Sequence, residues 1–255
     1  MIRFLSSSYG YCCYLILKGM LQRQLDLWTE NRADVFITKD RLRIIALLAG
    51  IPVWQTTEKM INTCEGMDWI KAFGHHLWYV VSSAGSISDA LTEYEKACGI
   101  IQDPECDIEP YAALPTPSYT QDQTIFRDLC YQLISVYCRR TTPLDKVVNP
   151  LNHTYNVKEN VLSWLVWQQL KALGYSHLSE TASAQLTMDF AAQLENNGLW
   201  QWAVFVTLHL NSAPSATRAF VQGNCRNFLN NSERIHTNSF RIYLIISFIL
   251  IDFQV

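Results

Sequence analysis

The chain holds 255 residues with a formal net charge of −3, room for one large domain or for a run within a longer repeat array. Hydrophobic residues make up 49% and charged ones 17%, against roughly a quarter charged in an average globular domain, so much surface is expected to be buried or covered by partners. No basic block is present, which argues against a phosphate-gripping nucleic-acid face.

The first stretch, MIRFLSSSYGYCCYLILKG, carries a short apolar run from Tyr11 to Leu17. Serines and a glycine interrupt it and no cleavage site follows, so it makes a poor signal peptide. Met20 to Trp28 is expected to be helical. Thr38 or Asp40 can cap RLRIIALLAG, which stops at Gly50 with Pro52 just beyond. Thr56 or Thr57 is expected to open a short helix towards Cys64. Asp68 caps DWIKAFGHHLWYVV. Ser86, with Asp89 three residues on, approximates a capping box for SISDALTEYEKACG, and Gly99 closes it.

Residues 102–121 hold Pro104, Pro110, Pro115 and Pro117. This is expected to be a long, protease-sensitive loop, dispensable for folding. Asp122 or Thr124 caps a helix through Arg139. Thr142 and Pro143 form an N-cap followed by proline at the first helical position. Asn149 to Val157 is loop. Lys158 to Leu173 is a strong helix that Gly174 ends.

Ser179 caps the next helix, along which Leu186, Phe190 and Leu194 recur at four-residue steps. Asn197-Gly198 supplies a left-handed stop. Leu199 to Leu210 follows without a clean polar face, so as a helix it is expected to be buried on most sides. Trp202 and Phe205 are therefore expected to be core. Pro214 or Ser215 starts one more helix up to about Phe228. Before the last stretch no alternating polar–apolar run signals a strand.

A pair of helices joined by a turn as tight as Asn197-Gly198 forms an αα-hairpin. Such a hairpin needs neighbours on both sides to bury its apolar surface, which is the physics of an α-solenoid. The expected fold class is thus all-α, a solenoid of antiparallel helix hairpins.

Chemistry-bearing motifs are sparse. Adjacent histidines on a helix point about 100° apart, so His75 and His76 are expected to pack or face solvent rather than to share a metal. His209 reads as a satisfied core histidine. The eight cysteines include no CxxC and read as buried reduced thiols. No HExxH, GxSxG or phosphate-loop pattern occurs. Trp164 with Trp167, and Trp200 with Trp202, read as hairpin core and rim. Asn152-His153-Thr154 and Asn230-Asn231-Ser232 match a glycosylation pattern that matters only in a secreted protein. No catalytic, cofactor-binding or metal residue is assigned, and no enzyme is expected.

Eight stretches, in order, carry a resemblance. They are LQRQLDLW, DRLRIIALLAGIPVWQ, INTCEGMDWIKAFGHHLWYVV, SISDALTEYEKA, YAALPTPSY, RDLCYQLISVY, VLSWLVWQQLKALGYSHLS and AAQLENNGLWQWAVFVTLHL. From Met20 to Cys225 the chain resembles the ninety-six-kilodalton family of α-helical scaffold nucleoporins, made as the C-terminal half of a self-cleaving precursor. The resemblance implies a structural member of the Y-shaped coat subcomplex of the nuclear pore, supporting mRNA export and protein transport. It implies a folded-back α-solenoid related to vesicle-coat scaffolds. The implied partners are a helical nucleoporin, bound through the crown, and a β-propeller, bound through a segment upstream of anything present.

The expected organisation is an unmatched stretch at 1–19, a solenoid segment at 20–225 and an unmatched tail at 226–255 with the bias of a gene-model artefact. The whole reads as a fragment. The rival readings are a vesicle-coat scaffold, a helical enzyme with an apolar pocket, and a membrane-tethered protein held by Ile242 to Ile251. That last run is only about half the ~20 residues a bilayer needs.

Overall fold

The computed structural model describes residues 8–81, 85–102, 109–120 and 125–209, with side chains from residue 14 onward. They are mostly helical and fall into two compact units. The expected helix at Pro214–Phe228, the run Ile242–Ile251 and the caps Asp122 and Thr124 lie outside these residues.

The first unit spans residues 1–142 and 151–155. Helix α1 (Ser8–Glu30) extends well before Met20. Its Leu21, Leu25 and Trp28, at helical spacing, pack on α2 (Lys39–Ala49) through Leu42, Ala46 and Ala49. Thr38 occupies the N-cap position without a side-chain bond, and Gly50 ends α2 at φ 69°. A Cβ on Gly50 would lie 2.0 Å from the Tyr79 carbonyl oxygen, so glycine is required there twice over, by conformation and by space. The polar flank of α1 closes two helix ends. Gln22 donates to the Ala49 carbonyl at 2.9 Å, and Lys18 Nζ donates to the Tyr79 and Val80 carbonyls at 2.6 and 3.3 Å.

The short helix expected from Thr56 towards Cys64 is absent. In its place β1 (Val53–Gln55) pairs antiparallel with β2 (Met60–Asn62), in the register Val53↔Asn62, Trp54↔Ile61 and Gln55↔Met60. Trp54 and Ile61 share the buried face and join the α1–α2 core. The Thr56 hydroxyl does accept a backbone N–H three residues on, from Lys59 at 2.9 Å, as a helix cap would. Here the bond closes a hairpin turn, in which the Thr56 N–H and hydroxyl both donate to the Lys59 carbonyl.

Asp68 caps α3 (Trp69–His75), accepting from Lys71 N, and the helix continues as one π-helical stretch, His76–Val80. Ser86 and Asp89 form the full capping box of α4 (Ile87–Ala97). Trp69, Phe73, Leu91, Tyr94 and Tyr131 build the second core of this unit. The helix expected through Arg139 begins later, as α5 (Leu129–Cys138), with Asp128 as its cap. Glu95 on α4 is 1% exposed. It accepts from the Tyr131 hydroxyl at 2.7 Å and from Arg139, which binds both its oxygens. This bond holds the Tyr131 proton: burial, and then Glu95, push its pKa far above that of a free phenol.

The described part of the Pro-rich stretch is packed rather than loose. Tyr111 and Ala112 donate their backbone N–H groups to the Ala97 carbonyl, and the Tyr94 hydroxyl donates to Ala113 O at 2.7 Å. Pro115 and Pro117 are buried. Residues 109–120 thus form a loop without helix or strand that packs as a strap against the core.

The described part of the second unit covers residues 143–150 and 156–209. Pro143 itself occupies the N-cap position of α6 (Leu144–Val147), while the Thr142 hydroxyl bonds back to the Ser135 and Arg139 carbonyls within the first unit. A 3-10 turn, Pro150–Asn152, lies in the expected loop, and α7 runs over Val161–Ala172. Ser179 accepts from Ala182 N to cap α8 (Glu180–Asn196), Gly198 takes φ 75°, and α9 (Trp200–Thr207) folds back as a helical hairpin. Gln193 on α8 accepts from Asn160 N and donates to Glu159, tying the end of α8 to the start of α7. Trp167 Nε1 donates to Ser183 Oγ at 2.9 Å, and Trp164 packs on Phe190.

Burial within α9 differs from expectation. Ala203, Val204, Val206 and Thr207 face inward, whereas Trp202 is 60% and Phe205 48% exposed. The helix turns small and β-branched residues to its neighbour and its large aromatics outward.

Candidate functional site

Two features stand out: apolar side chains left exposed on well-formed helices, and a buried cluster of cysteine and histidine. On α1, Ile16, Met20 and Leu27 recur at spacings of four and seven, and all are exposed. Leu199, Trp202 and Phe205, at steps of three, are exposed at the start of and along α9, and Leu162 and Leu165, also three apart, on α7. Rows of this kind at helical period are candidate contact surfaces. They offer shape and apolar area, and no acid–base or nucleophilic constellation lies among them.

The cluster forms where α3 becomes π-helical. Cys64 sits in the turn after β2 and is buried. Asn62 Oδ1 accepts from its backbone N–H at 2.8 Å, and Arg43 donates to the flanking Thr63 and Glu65 carbonyls. His75 closes α3 and His76 opens the π stretch, with ring centroids 5.7 Å apart and planes at 76°. Ligand atoms of Cys64, His75 and His76 all lie within 4.8 Å of one another. Both histidines are packed in the core, one of the two placements expected of them, and Cys64, eleven positions before His75, lies beside them.

Carbonyl partners set the tautomers, since a carbonyl only accepts. His75 Nε2 donates to Leu47 O at 3.3 Å, which leaves Nδ1 with its lone pair 3.8 Å from Cys64 Sγ. His76 Nδ1 donates to Ala72 O at 2.7 Å, which leaves Nε2 with its lone pair 3.3 Å from the Tyr111 hydroxyl. Burial holds His75 neutral, its pKa lowered to about 4, with repulsion from His76 adding to the effect. Burial also lowers His76 and raises the Cys64 thiol.

The remaining candidates are placed more simply. His209 is half-buried just past α9, donates to the Phe205 carbonyl at 3.0 Å and packs edge-on against Trp164. Trp164 and Trp167 are core; Trp202 is surface. Cys98 is buried as expected, but Cys130 is exposed. Asn152 of the first glycosylation pattern is 2% exposed, which closes it to a glycan, and Asn230 lies outside the described residues. Among the described residues no helix is long and apolar enough to cross a membrane.

Comparison with known proteins adds the family. The profile described as Nuclear protein 96 matches residues 16–244, beyond both ends of the Met20–Cys225 resemblance. A Drosophila melanogaster nuclear pore complex protein Nup98-Nup96 is 38% identical over 211 residues, covering 81% of this chain and 10% of that protein. A Dictyostelium discoideum protein of the same name is 25% identical over 89% of this chain and 11% of its own length. The nucleoporin nup189 of Schizosaccharomyces pombe is 26% identical over 81% of this chain and 12% of its own length. The chain thus spans about a tenth of the relatives it matches. With most of its length inside the family profile and a relative of this identity, the chain belongs to the Nuclear protein 96 family of nucleoporins.

Proposed function

We propose that this chain is a structural segment of the nuclear pore complex, located at the nuclear envelope and supporting mRNA export and protein transport as part of the pore scaffold. The observation that carries this reading is the family match over residues 16–244. The exposed apolar rows on α1, α7 and α9 support it, since a scaffold works through surfaces of this kind. The finer proposal is that these helices form part of an α-solenoid of the coat-scaffold type, non-enzymatic, within the Y-shaped subcomplex. The α8–α9 hairpin is one unit of such an array.

In this proposal the partners are other scaffold nucleoporins, foremost a helical one whose own apolar face docks on these rows. The test is affinity isolation of the tagged chain from nuclear-envelope extract, followed by cross-linking. Cross-links from α1 or α9 to a helical scaffold nucleoporin are expected. Recovery of vesicle-coat subunits instead of nucleoporins would overturn the assignment.

A further inference from the structure

We propose that Cys64, His75 and His76 form a binding site for one zinc-class divalent cation, a structural clip inside the first unit. Proximity, burial and the hydrogen-bonding of the rings converge. The ligand atoms lie within 4.8 Å of one another, all three residues are buried, and the 3.8 Å between Cys64 Sγ and His75 Nδ1 is close to the S···N edge of a tetrahedral zinc site. Each imidazole donates one N–H to a backbone carbonyl, Leu47 O or Ala72 O, which frees its second nitrogen to ligate, as the carbonyl partners of metal-binding histidines do. A thiol with two imidazoles is a borderline-soft set that suits zinc and disfavours magnesium and calcium.

The π-helical stretch begins at the site, at His76, and such single-turn π segments are frequent at functional sites. The fourth position falls to water or to the Tyr111 hydroxyl beside His76 Nε2. Such a clip would join three parts of the first unit: the turn after β2, the end of α3, and α2 through Leu47.

Binding is balanced by one proton. The cation displaces the hydrogen of the buried Cys64 thiol, which leaves to solvent, and the thiolate–metal bond takes its place. The competing description is a hydrogen-bonded core triad, with Cys64 donating to His75 Nδ1 and Tyr111 donating to His76 Nε2.

Cobalt(II) distinguishes the two. The 255-residue chain, stripped with chelator, is titrated with cobalt and then with zinc, with circular dichroism as the check on folding. A single equivalent of tightly bound cobalt with a thiolate-to-metal charge-transfer band, displaced by zinc with release of a proton, is expected. In Cys64→Ser the band should vanish and zinc affinity should fall by more than about a hundredfold, beyond the roughly 10–100-fold that losing an orienting partner of a ligand costs. His209→Gln should leave both unchanged. No cobalt bound by the folded parent chain, or the same spectrum in Cys64→Ser, would overturn the site. Neither result bears on the scaffold assignment, which rests on the family match and the exposed helical rows.

Discussion

Glu95 shows what a single side chain contributes to this fold. Its carboxylate is enclosed between α4 and α5 and satisfied by Tyr131 and Arg139. Removing Arg139 would leave that carboxylate buried beside one neutral donor. Arg139→Ala should cost about 3 kcal/mol, the lower end for a broken buried pair because the arginine itself is partly exposed, measured by urea unfolding. A change under ~1 kcal/mol would mean that water reaches Glu95. Gly50→Ala should cost about 2 kcal/mol or more, since it forces an L-residue to φ 69° and drives a methyl into Tyr79 O. Trp202→Ala and Phe205→Ala should each shift stability by less than about 1 kcal/mol while weakening partner capture, as exposed contact residues do. A loss of several kcal/mol in either would show that they are core after all.

At the scale of elements, the caps were the most legible feature. Asp68, Ser86 with Asp89, Ser179 and the stop at Gly50 all lie where local side-chain chemistry placed them. What escaped was structure without a period. Val53–Gln55 and Met60–Asn62 are three residues each, too short to show alternation, and Thr56 offers the same hydroxyl signal to a turn as to a helix. The strap at 109–120 escaped for the opposite reason. Its prolines remove donors, which suggests a loop, yet its remaining N–H groups and carbonyls bond to Ala97, Tyr94 and Asn62. Limited proteolysis of the folded chain should therefore spare 109–120. Early cleavage inside that span would show the strap to be loosely held.

For the molecule as a whole, composition anticipated the extensive burial, and caps with apolar periodicity anticipated the helical character. Neither could say which apolar residues stay outside, because α9 has no clean polar face and packing against α8 decides its inward side. The Cys64–His75–His76 cluster was equally hidden, since its members meet through tertiary contact rather than through a spacing. The central claim, a scaffold segment held in the pore by apolar helical contacts, is tested most directly by photobleaching of the fluorescently tagged chain in living cells. A punctate nuclear rim that recovers far more slowly than a diffusing protein of this size is predicted, with faster recovery for Trp202→Ala. A diffuse signal, or a rim that refills at the rate of free diffusion, would contradict it.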